Sequence, residues 1–330
     1  PDTVWLHELG TAVEDDVKLF HEPDERYWLG AGFTRSDRYL VIGMGSSITS
    51  EEWLVDAADL RSEPRLVWPR TEGVEYDSSH AVIDGEDVLF ILHNDGALDF
   101  ELVKVAASDP TGPREIVVPH RPGERLLGVS TFRDWGVLGY RRGGLARLGM
   151  LDYATGAVSE LEFDEPLYSV GSGGNPEWAP PLIRLGYGSF VTPGTVFDYE
   201  VATGALLLRK RQPVLGGYEP ADYAQARVWA PAQDGTQIPI SLVWKRSFGE
   251  AGSAPRASLG VWASPCCTPW AVATRSSPVS PTSLVRACCA HGWHRPKPRP
   301  RPRPLSRRCR TAPAWAACSM PPPACCACWI

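Results

Sequence analysis

Residues 1 to about 250 contain a β-like repeat of about fifty residues, and no other feature limits the fold as strongly. The first strands of the repeat start 49, 47 and 52 residues apart: Tyr39-Leu-Val-Ile-Gly, Val88-Leu-Phe-Ile-Leu, Trp135-Gly-Val-Leu-Gly and Tyr187-Gly-Ser-Phe-Val. Such regularity indicates one supersecondary unit that is stacked many times and shares its core with its neighbours.

Each first strand is followed by a turn and a second strand: Trp53-Leu-Val-Asp, Glu101-Leu-Val-Lys-Val, Arg147-Leu-Gly-Met-Leu and Val196-Phe-Asp-Tyr. The segment Val4-Trp-Leu-His-Glu-Leu is an earlier second strand, so the array begins partway through a repeat. Further short stretches at Tyr27-Trp-Leu-Gly and Leu126-Leu-Gly-Val bring each unit to about four strands. Four strands in 40 to 50 residues are typical of a propeller blade.

We therefore predict an all-β chain whose front part is a partial β-propeller of about four to five blades. A pair of β-sandwiches is the main alternative. Helical solenoids have similar periods, but they need apolar residues at a spacing of 3.6 over ten or more positions. Here the apolar runs are short, rich in β-branched and aromatic residues, and interrupted by Gly, Pro and Asp. An open array exposes strand edges, which predicts non-specific self-association.

Two repeats contain a similar turn, Asp152-Tyr-Ala-Thr-Gly156 in one and Asp198-Tyr-Glu-Val-Ala-Thr-Gly204 in the other. Glycine in these turns predicts a left-handed backbone conformation at a strand connection.

Charge divides the chain into two unlike parts. The first 250 residues hold all 39 acidic side chains and 22 basic ones, a net charge of −17, whereas the last 80 hold 11 basic side chains and no acid. An acidic front part argues against a nucleic-acid partner and is compatible with cationic peptides.

Cysteine usage and hydropathy predict a cytoplasmic protein. All nine cysteines lie between Cys266 and Cys328, so the front part is not a disulfide scaffold. We find no secretory signal and no apolar run of 18 residues, and we expect no membrane partner.

Eight longer segments together carry a family resemblance: Glu22-Pro-Asp-Glu-Arg-Tyr-Trp, Arg38-Tyr-Leu-Val-Ile, Glu72-Gly-Val-Glu-Tyr, His93-Asn-Asp-Gly-Ala, Pro119-His-Arg-Pro-Gly, Glu162-Phe-Asp-Glu-Pro, Gly173-Gly-Asn-Pro-Glu and Gln212-Pro-Val-Leu-Gly-Gly-Tyr-Glu-Pro-Ala-Asp-Tyr. In this order they resemble the oligopeptidase B group of the prolyl oligopeptidase family of serine peptidases. The resemblance implies a seven-bladed propeller that caps an α/β-hydrolase domain and restricts access to it. It also implies oligopeptide substrates, cleaved after Arg or Lys.

The resemblance divides the chain into three parts. Residues 1–215 are expected to form the incomplete propeller, and residues 216–250 a linker and the first hairpin of the peptidase domain. That hairpin is predicted at Arg227–Lys245, with Asp234 and Gly235 at its turn. Residues 251–330 are expected to be a disordered tail.

A peptidase of this family needs a Ser in a G-x-S-x-G turn, followed along the chain by an Asp and a His. No G-x-S-x-G occurs in the 330 residues, and no Asp or Glu follows Glu250. The last 80 residues also lack Asn, Gln, Tyr and Phe and are rich in Pro, Ala, Arg, Cys, Ser and Trp, which are the residues of GC-rich codons. We hypothesise a frameshift near residues 250–257 that replaced the peptidase domain with out-of-frame sequence.

Two motifs in the tail have alternative interpretations. Several tail residues are of metal-ligating types, but their spacing fits no closed zinc pattern: Cys288, Cys289, His291, His294, Cys325, Cys326 and Cys328. The alternating Arg-Pro run that begins at Arg295 is typical of a polyproline II ligand or a nucleic-acid arm, and disorder without a selected partner is the preferred interpretation.

The sequence predicts no catalytic, cofactor-binding or metal-binding residue and no cofactor. His93, beside Asn94 and Asp95, is expected at the end of a strand in a structural role, and the other histidines of the front part occur singly: His7, His21, His80 and His120. The glycine-rich segments at 43–47 and 171–174 lack the Lys of a phosphate loop and the spacing of a nucleophile turn, respectively. Four tryptophans are expected to pack between blades: Trp28, Trp53, Trp135 and Trp178.

The sequence therefore favours the propeller portion of an oligopeptidase B-like serine endopeptidase that is itself inactive. The alternative is a non-enzymatic propeller that binds other proteins and carries a basic, proline-rich tail.

Overall fold

The computed structural model describes residues 2–249, which form antiparallel sheets joined by turns. A two-stranded sheet, here called the partial blade, comes first: β1 (Thr3–Leu6) and β2 (Val17–His21). Three one-turn 3-10 helices lie at Val13–Asp15, Pro220–Asp222 and Arg246–Phe248. The predicted tail, with its Cys/His and Arg-Pro motifs, lies outside the described residues.

Four four-stranded sheets follow, each with its strands in chain order. Blade 1 consists of β3 (Trp28–Phe33), β4 (Tyr39–Gly45), β5 (Ser50–Asp56) and β6 (Arg65–Leu66). Blade 2 consists of β7 (Tyr76–Ile83), β8 (Glu86–His93), β9 (Glu101–Ala106) and β10 (Glu115–Val118). Blade 3 consists of β11 (Glu124–Thr131), β12 (Trp135–Arg142), β13 (Leu145–Asp152) and β14 (Val158–Glu160). Blade 4 consists of β15 (Tyr168–Ser172), β16 (Leu182–Ser189), β17 (Thr195–Glu200) and β18 (Leu206–Arg211).

This arrangement is a partial β-propeller, which confirms the predicted fold class and excludes the sandwich alternative. The prediction was wrong in one blade, where the strand proposed to start at Tyr187 starts at Leu182. Arg184, Gly186 and Gly188 interrupt the apolar character of that strand, so only its last part looked β-like. The strands that the sequence analysis counted first in each repeat are thus the second strands of blades 1 to 4. They start at Tyr39, Glu86, Trp135 and Leu182.

The apolar core lies between consecutive sheets rather than inside any one of them. Four clusters of buried side chains join the partial blade to blade 1, and then each blade to the next. Leu54 of blade 1, for example, packs with Leu89 and Ile91 of blade 2, and all three are fully buried. Each such side chain stabilises the stack by about 1.5–3 kcal/mol. Because each core is shared, a blade depends on its neighbours for stability.

The two related turns adopt the predicted conformation, at Gly156 (φ 69°) and Gly204 (φ 73°). Gly156 N–H donates to the Asp152 carbonyl oxygen, and Gly204 N–H donates to the carbonyl oxygen of Glu200. The equivalent of Asp152 is therefore Glu200 rather than Asp198. The two turns have the same length, five residues, and the same Ala-Thr-Gly ending.

A separate hairpin follows blade 4, formed by β19 (Tyr223–Pro231) and β20 (Gln237–Lys245) in continuous register. Asp234 and Gly235 occupy its turn as predicted, and Gly235 has φ 86°. Arg227 of β19 donates through Nη2 to the carbonyl oxygen of Gly143 at 2.7 Å, which ties the hairpin to blade 3. Within residues 2–249, no helix is long and apolar enough to cross a membrane.

Candidate functional site

The first strands of blades 1, 2 and 3 line one cleft of about 410 Å³. Its walls come from residues 30–35 of blade 1, residues 77–80 of blade 2 and residues 129–131 of blade 3. In a propeller the first strand of each blade is the one nearest the central axis. The cleft is therefore part of the central channel.

Glycines open the wall of this cleft in blade 1. Gly30 of β3 is the register partner of Gly43 in β4, and Gly43 is in turn the partner of Glu52 in β5. A Cβ atom added at Gly30 or Gly32 would meet nothing within 4 Å, and none of these three glycines has a positive φ. Neither close packing nor backbone conformation requires them, so their effect is to leave open space. Because Gly30 and Gly43 have no side chains, Glu52, which lies two strands away from Gly30, can face the cleft.

Glu52 is 8% exposed and lines the cleft together with Asp77. Its Oε2 atom accepts hydrogen bonds from the backbone N–H of Ser78 at 3.0 Å and from the Ser78 hydroxyl. Burial, and next the nearby charge of Asp77, raises the pKa of Glu52 to about 8. The pKa of Asp77 is also raised, because the surrounding protein reduces the hydration of its carboxyl group although the residue is exposed to the cleft. The two carboxyls share a site in which two full negative charges are unfavourable.

A second polar group lies at the end of the cleft that carries Arg35. His80 Nδ1 is 2.7 Å from Ser36 Oγ, and His80 Nε2 is 3.1 Å from Asp87 Oδ1. Burial lowers the pKa of His80, although Asp87 opposes this effect. An ionised Asp87 accepts hydrogen bonds only, so Nε2–H of the neutral ring donates to Asp87 and Nδ1 accepts from Ser36.

Ser36, His80 and Asp87 are connected in the way of a catalytic triad, but their order along the chain differs from Ser, Asp, His and the contacts indicate a structural role. Ser36 Oγ is also 2.9 Å from Thr34 Oγ1 and 3.3 Å from the backbone nitrogen of Arg38. The hydroxyl is thus held inside the β3–β4 turn and joins that turn to blade 2.

Trp178 covers the same histidine from blade 4. It stacks on His80 with ring centroids 6.1 Å apart, and its carbonyl oxygen accepts from the backbone N–H of Arg133 in blade 3. The β15–β16 connection therefore reaches across blade 3 to blade 2. Blades that are not sequential neighbours are linked at this end of the cleft.

Residues 1–212 match the family described as prolyl oligopeptidase, N-terminal beta-propeller domain. The chain belongs to the prolyl oligopeptidase family. The match covers all four blades and the partial blade, and it confirms the resemblance found in the sequence.

Curated relatives in this family are peptidases by name. "Dipeptidyl aminopeptidase BI" of Pseudoxanthomonas mexicana is 33% identical over 255 residues, which are 76% of this chain and 34% of the relative. "Protease 2" of Moraxella lacunata is 29% identical over 255 residues, 77% of this chain and 36% of the relative. The chain thus spans about a third of the length of these relatives.

Solved structures of oligopeptidase B have the same fold. The closed form from Trypanosoma brucei, with covalently bound antipain, has a TM-score of 0.66 and 32% identity to this chain. The match covers 74% of this chain and 36% of the Trypanosoma brucei chain. The protein from Leishmania major has a TM-score of 0.65 and 28% identity, and the match covers 75% of this chain and 36% of the Leishmania major chain.

The residues singled out in the sequence occupy varied places in the prolyl oligopeptidase propeller. His93 ends β8, as predicted, and packs edge-on against Trp68, while its Nδ1 has no hydrogen-bond partner among residues 2–249. Asn94 Oδ1 accepts from the backbone N–H of Glu75 at 2.8 Å. No three His, Cys, Asp or Glu side chains of the described part could hold a metal ion.

The tryptophan prediction is correct in three cases and wrong in one. Trp53 packs against Phe20 of the partial blade, Trp135 packs against the apolar cluster between blades 3 and 4, and Trp178 stacks on His80. Trp28 is 72% exposed and does not pack between blades. It begins the strand next to the partial blade, which contributes only two strands in the described part of the chain.

The Glu52–Asp77 pair was missed by sequence reasoning. Its two members are 25 residues apart and come together only because consecutive blades stack. The glycines at 30, 32, 43 and 45 in two successive strands were the available signal, because glycine is disfavoured in strands unless space is needed.

Proposed function

We propose that this chain is the propeller portion of an oligopeptidase B-like serine endopeptidase, whose complete form hydrolyses short peptides after Arg or Lys in the cytoplasm. In this role the propeller admits oligopeptides through its channel and excludes folded proteins. Residues 1–215 are the propeller, residues 216–250 carry the linker and the first hairpin of the peptidase domain, and residues 251–330 are an out-of-frame tail.

The observation that carries this proposal is the stack of blades around a channel cleft, which resembles closed oligopeptidase B over 74% of this chain. The acidic character of residues 1–250 supports a preference for basic peptides. The absence of cysteine from those residues supports a reducing compartment.

We further propose that the 330-residue chain does not hydrolyse peptides. It contains no G-x-S-x-G sequence, and no Asp or Glu follows Glu250. Without nucleophile, base and orienting acid, catalysis by this family's mechanism is lost. We expect no cleavage of a fluorogenic peptide that ends in Arg-Arg by the purified chain. Cleavage that co-purifies with the chain through two columns would contradict this expectation.

A chimera tests the propeller role itself. Residues 1–212 would replace the matching segment of Trypanosoma brucei oligopeptidase B, and cleavage of the Arg-Arg peptide and of folded ribonuclease A would be compared. We expect cleavage of the peptide and exclusion of the folded protein. A cooperatively folded chimera that cleaves both, or neither, would contradict the proposal.

A non-enzymatic protein-binding propeller is the second candidate, and exposed tryptophans favour it. Trp5, Trp28 and Trp229 are each at least half exposed, and aromatic side chains of this kind are common in protein interfaces. Genomic sequencing across residues 240–330 discriminates the two. A single-base correction that restores a G-x-S-x-G frame supports the peptidase, whereas an intact native frame supports the binding module.

A further inference from the structure

The cleft holds two carboxyl groups that lack a cationic partner. Neither Glu52 nor Asp77 forms an ion pair with any of residues 2–249, and no hydrogen bond from these residues reaches Glu52 Oε1. Elsewhere the protein pairs its buried acids. Glu22 pairs with Arg70, and Asp198 pairs with both Arg184 and Arg209.

An unpaired buried carboxyl is unfavourable unless something else neutralises it. At Glu52 the oxygen without a partner belongs to a side chain that is more than nine-tenths buried and faces an open cleft. Below about pH 8 a proton neutralises this group, and a cation that enters from the channel can replace that proton.

The shape of the cleft indicates what kind of cation fits. Gly30 and Gly43 leave a groove that leads to Glu52, and Val41 and Val129 supply apolar walls beside it. A lysine or arginine side chain has an apolar stem and a charged end, and such side chains bury the stem while the charge meets a partner. A volume of about 410 Å³ also lies in the range of small-ligand sites.

We propose that this cleft binds the cationic side chain of a short peptide, with the ammonium or guanidinium group placed against Glu52 and Asp77 and the stem in the Gly30–Gly43 groove. The identification of the ligand as a peptide rests on the proposed function. The site itself rests on the geometry of the cleft.

Arg35 limits the site at its other end. It lines the cleft, and its Nη1 donates to the carbonyl oxygen of Thr131 at 2.9 Å. A second cation is therefore disfavoured near Arg35, so the site is expected to take one basic side chain in one orientation.

Isothermal titration calorimetry of the 330-residue chain at pH 8.5 tests the proposal, with acetyl-Gly-Lys-Gly-amide and acetyl-Gly-Gln-Gly-amide as probes. We expect the Lys peptide to bind about tenfold or more tightly than the Gln peptide, a difference of about 1.4 kcal/mol. Glu52→Gln removes the charge with little change of shape, and Gly30→Val fills the groove in a strand that tolerates β-branched residues. Each variant should weaken binding of the Lys peptide by about tenfold.

Two matched variants control for charge and for the loss of glycine. Glu25→Gln removes an exposed carboxylate, and Gly45→Val alters the same strand as Gly43 at a position that does not line the cleft. Both should bind the Lys peptide within about twofold of the unaltered chain. Thermal unfolding shows whether each variant is folded.

Three results would overturn the proposal. They are equal binding of the Lys and Gln peptides, unchanged binding by folded Glu52→Gln and Gly30→Val, or binding of CaCl₂ at Glu52 without binding of the Lys peptide. Any of these leaves the chimera experiment unaffected. A chimera that fails while the Lys peptide still binds would instead reject the peptidase role and keep the site.

Discussion

Glu52 on the third strand of blade 1 accepts two hydrogen bonds from Ser78 on the first strand of blade 2, one of them from the backbone N–H at 3.0 Å. A carboxyl group of one blade thus binds the inner strand of the next, at the wall of the channel. Both donors reach the same oxygen, Oε2, which leaves Oε1 directed to the cleft without a donor from the described residues. One side chain therefore serves both the blade interface and the proposed ligand site.

Stability should fall as pH rises from about 5 to about 8, because of Glu52. Its pKa is near 4.5 when unfolded and is raised by burial to about 8 in the folded protein, so the folded state binds more protons in this interval. Asp77 acts in the same direction. In Glu52→Gln this fall should be smaller by at least about 1 kcal/mol, as measured by urea unfolding at pH 5 and pH 8. Glu25→Gln is the control and should match the unaltered chain. An equal fall in Glu52→Gln would show that this carboxyl ionises normally.

The Tyr153 hydroxyl should be a strong contributor to the stability of blade 3. It accepts from the backbone N–H of Phe132 at 3.1 Å and donates to the carbonyl oxygen of the same residue at 3.0 Å, and both residues are buried. Tyr153→Phe leaves the buried carbonyl oxygen of Phe132 without this donor, whereas the Phe132 N–H keeps the Trp135 carbonyl oxygen as an acceptor at 2.9 Å. The loss should lower the free energy of unfolding by about 1–3 kcal/mol. Tyr168→Phe is the matched control, since the hydroxyl of this buried tyrosine has no hydrogen-bond partner among residues 2–249. Guanidinium unfolding of both variants measures the difference, and equal losses would argue against the hydrogen bonds.

The strand pattern could be predicted from the sequence because each blade contains an apolar strand bounded by turns. Tyr39–Gly45 and the hairpin around Gly235 are examples, since local composition and turn chemistry are enough to place them. Blade 4 shows where local composition fails to place a strand. Arg184, Gly186 and Gly188 lie within β16, and burial in that strand is decided by the neighbouring blade rather than by local composition.

The cleft could not be predicted, because its parts come from strands of three blades. Glu52 directly follows Glu51 in β5 and looks like a solvent-facing acid, and His80 looks isolated in the sequence. Only the stacking of blades places Glu52 beside Ser78, and His80 between Ser36 and Asp87. Contacts between distant residues of this kind leave no periodic signal in a single sequence.

His80 should make the protein less stable at mildly acidic pH. Burial lowers its pKa below the ordinary value of 6.5, so the unfolded state binds a proton as pH falls through 6.5 while the folded state does not. Stability from this group is present above pH 6.5 and is lost as pH falls. Glu52 and Asp77 act in the opposite direction over this interval and are present in both proteins. The change in the free energy of unfolding from pH 7 to pH 5 should therefore be more positive in His80→Gln than in the unaltered chain. His21→Gln removes an exposed histidine and should leave the difference unchanged. An unchanged difference in His80→Gln would show that His80 titrates normally when folded.

Self-association through the open edge of the partial blade remains a prediction, and Trp5 offers its test. Strand β1 pairs only with β2 in the described part of the chain, and Trp5 on it is 56% exposed. An apolar edge strand pairs readily with another copy, whereas a lysine on the edge disfavours pairing because the charge would be buried. Trp5→Lys should therefore lower the sedimentation coefficient at high protein concentration toward the monomer value. Leu98→Lys makes the same kind of change at an exposed turn residue and should have no effect. If both variants associate as the unaltered chain does, the contact involves another surface.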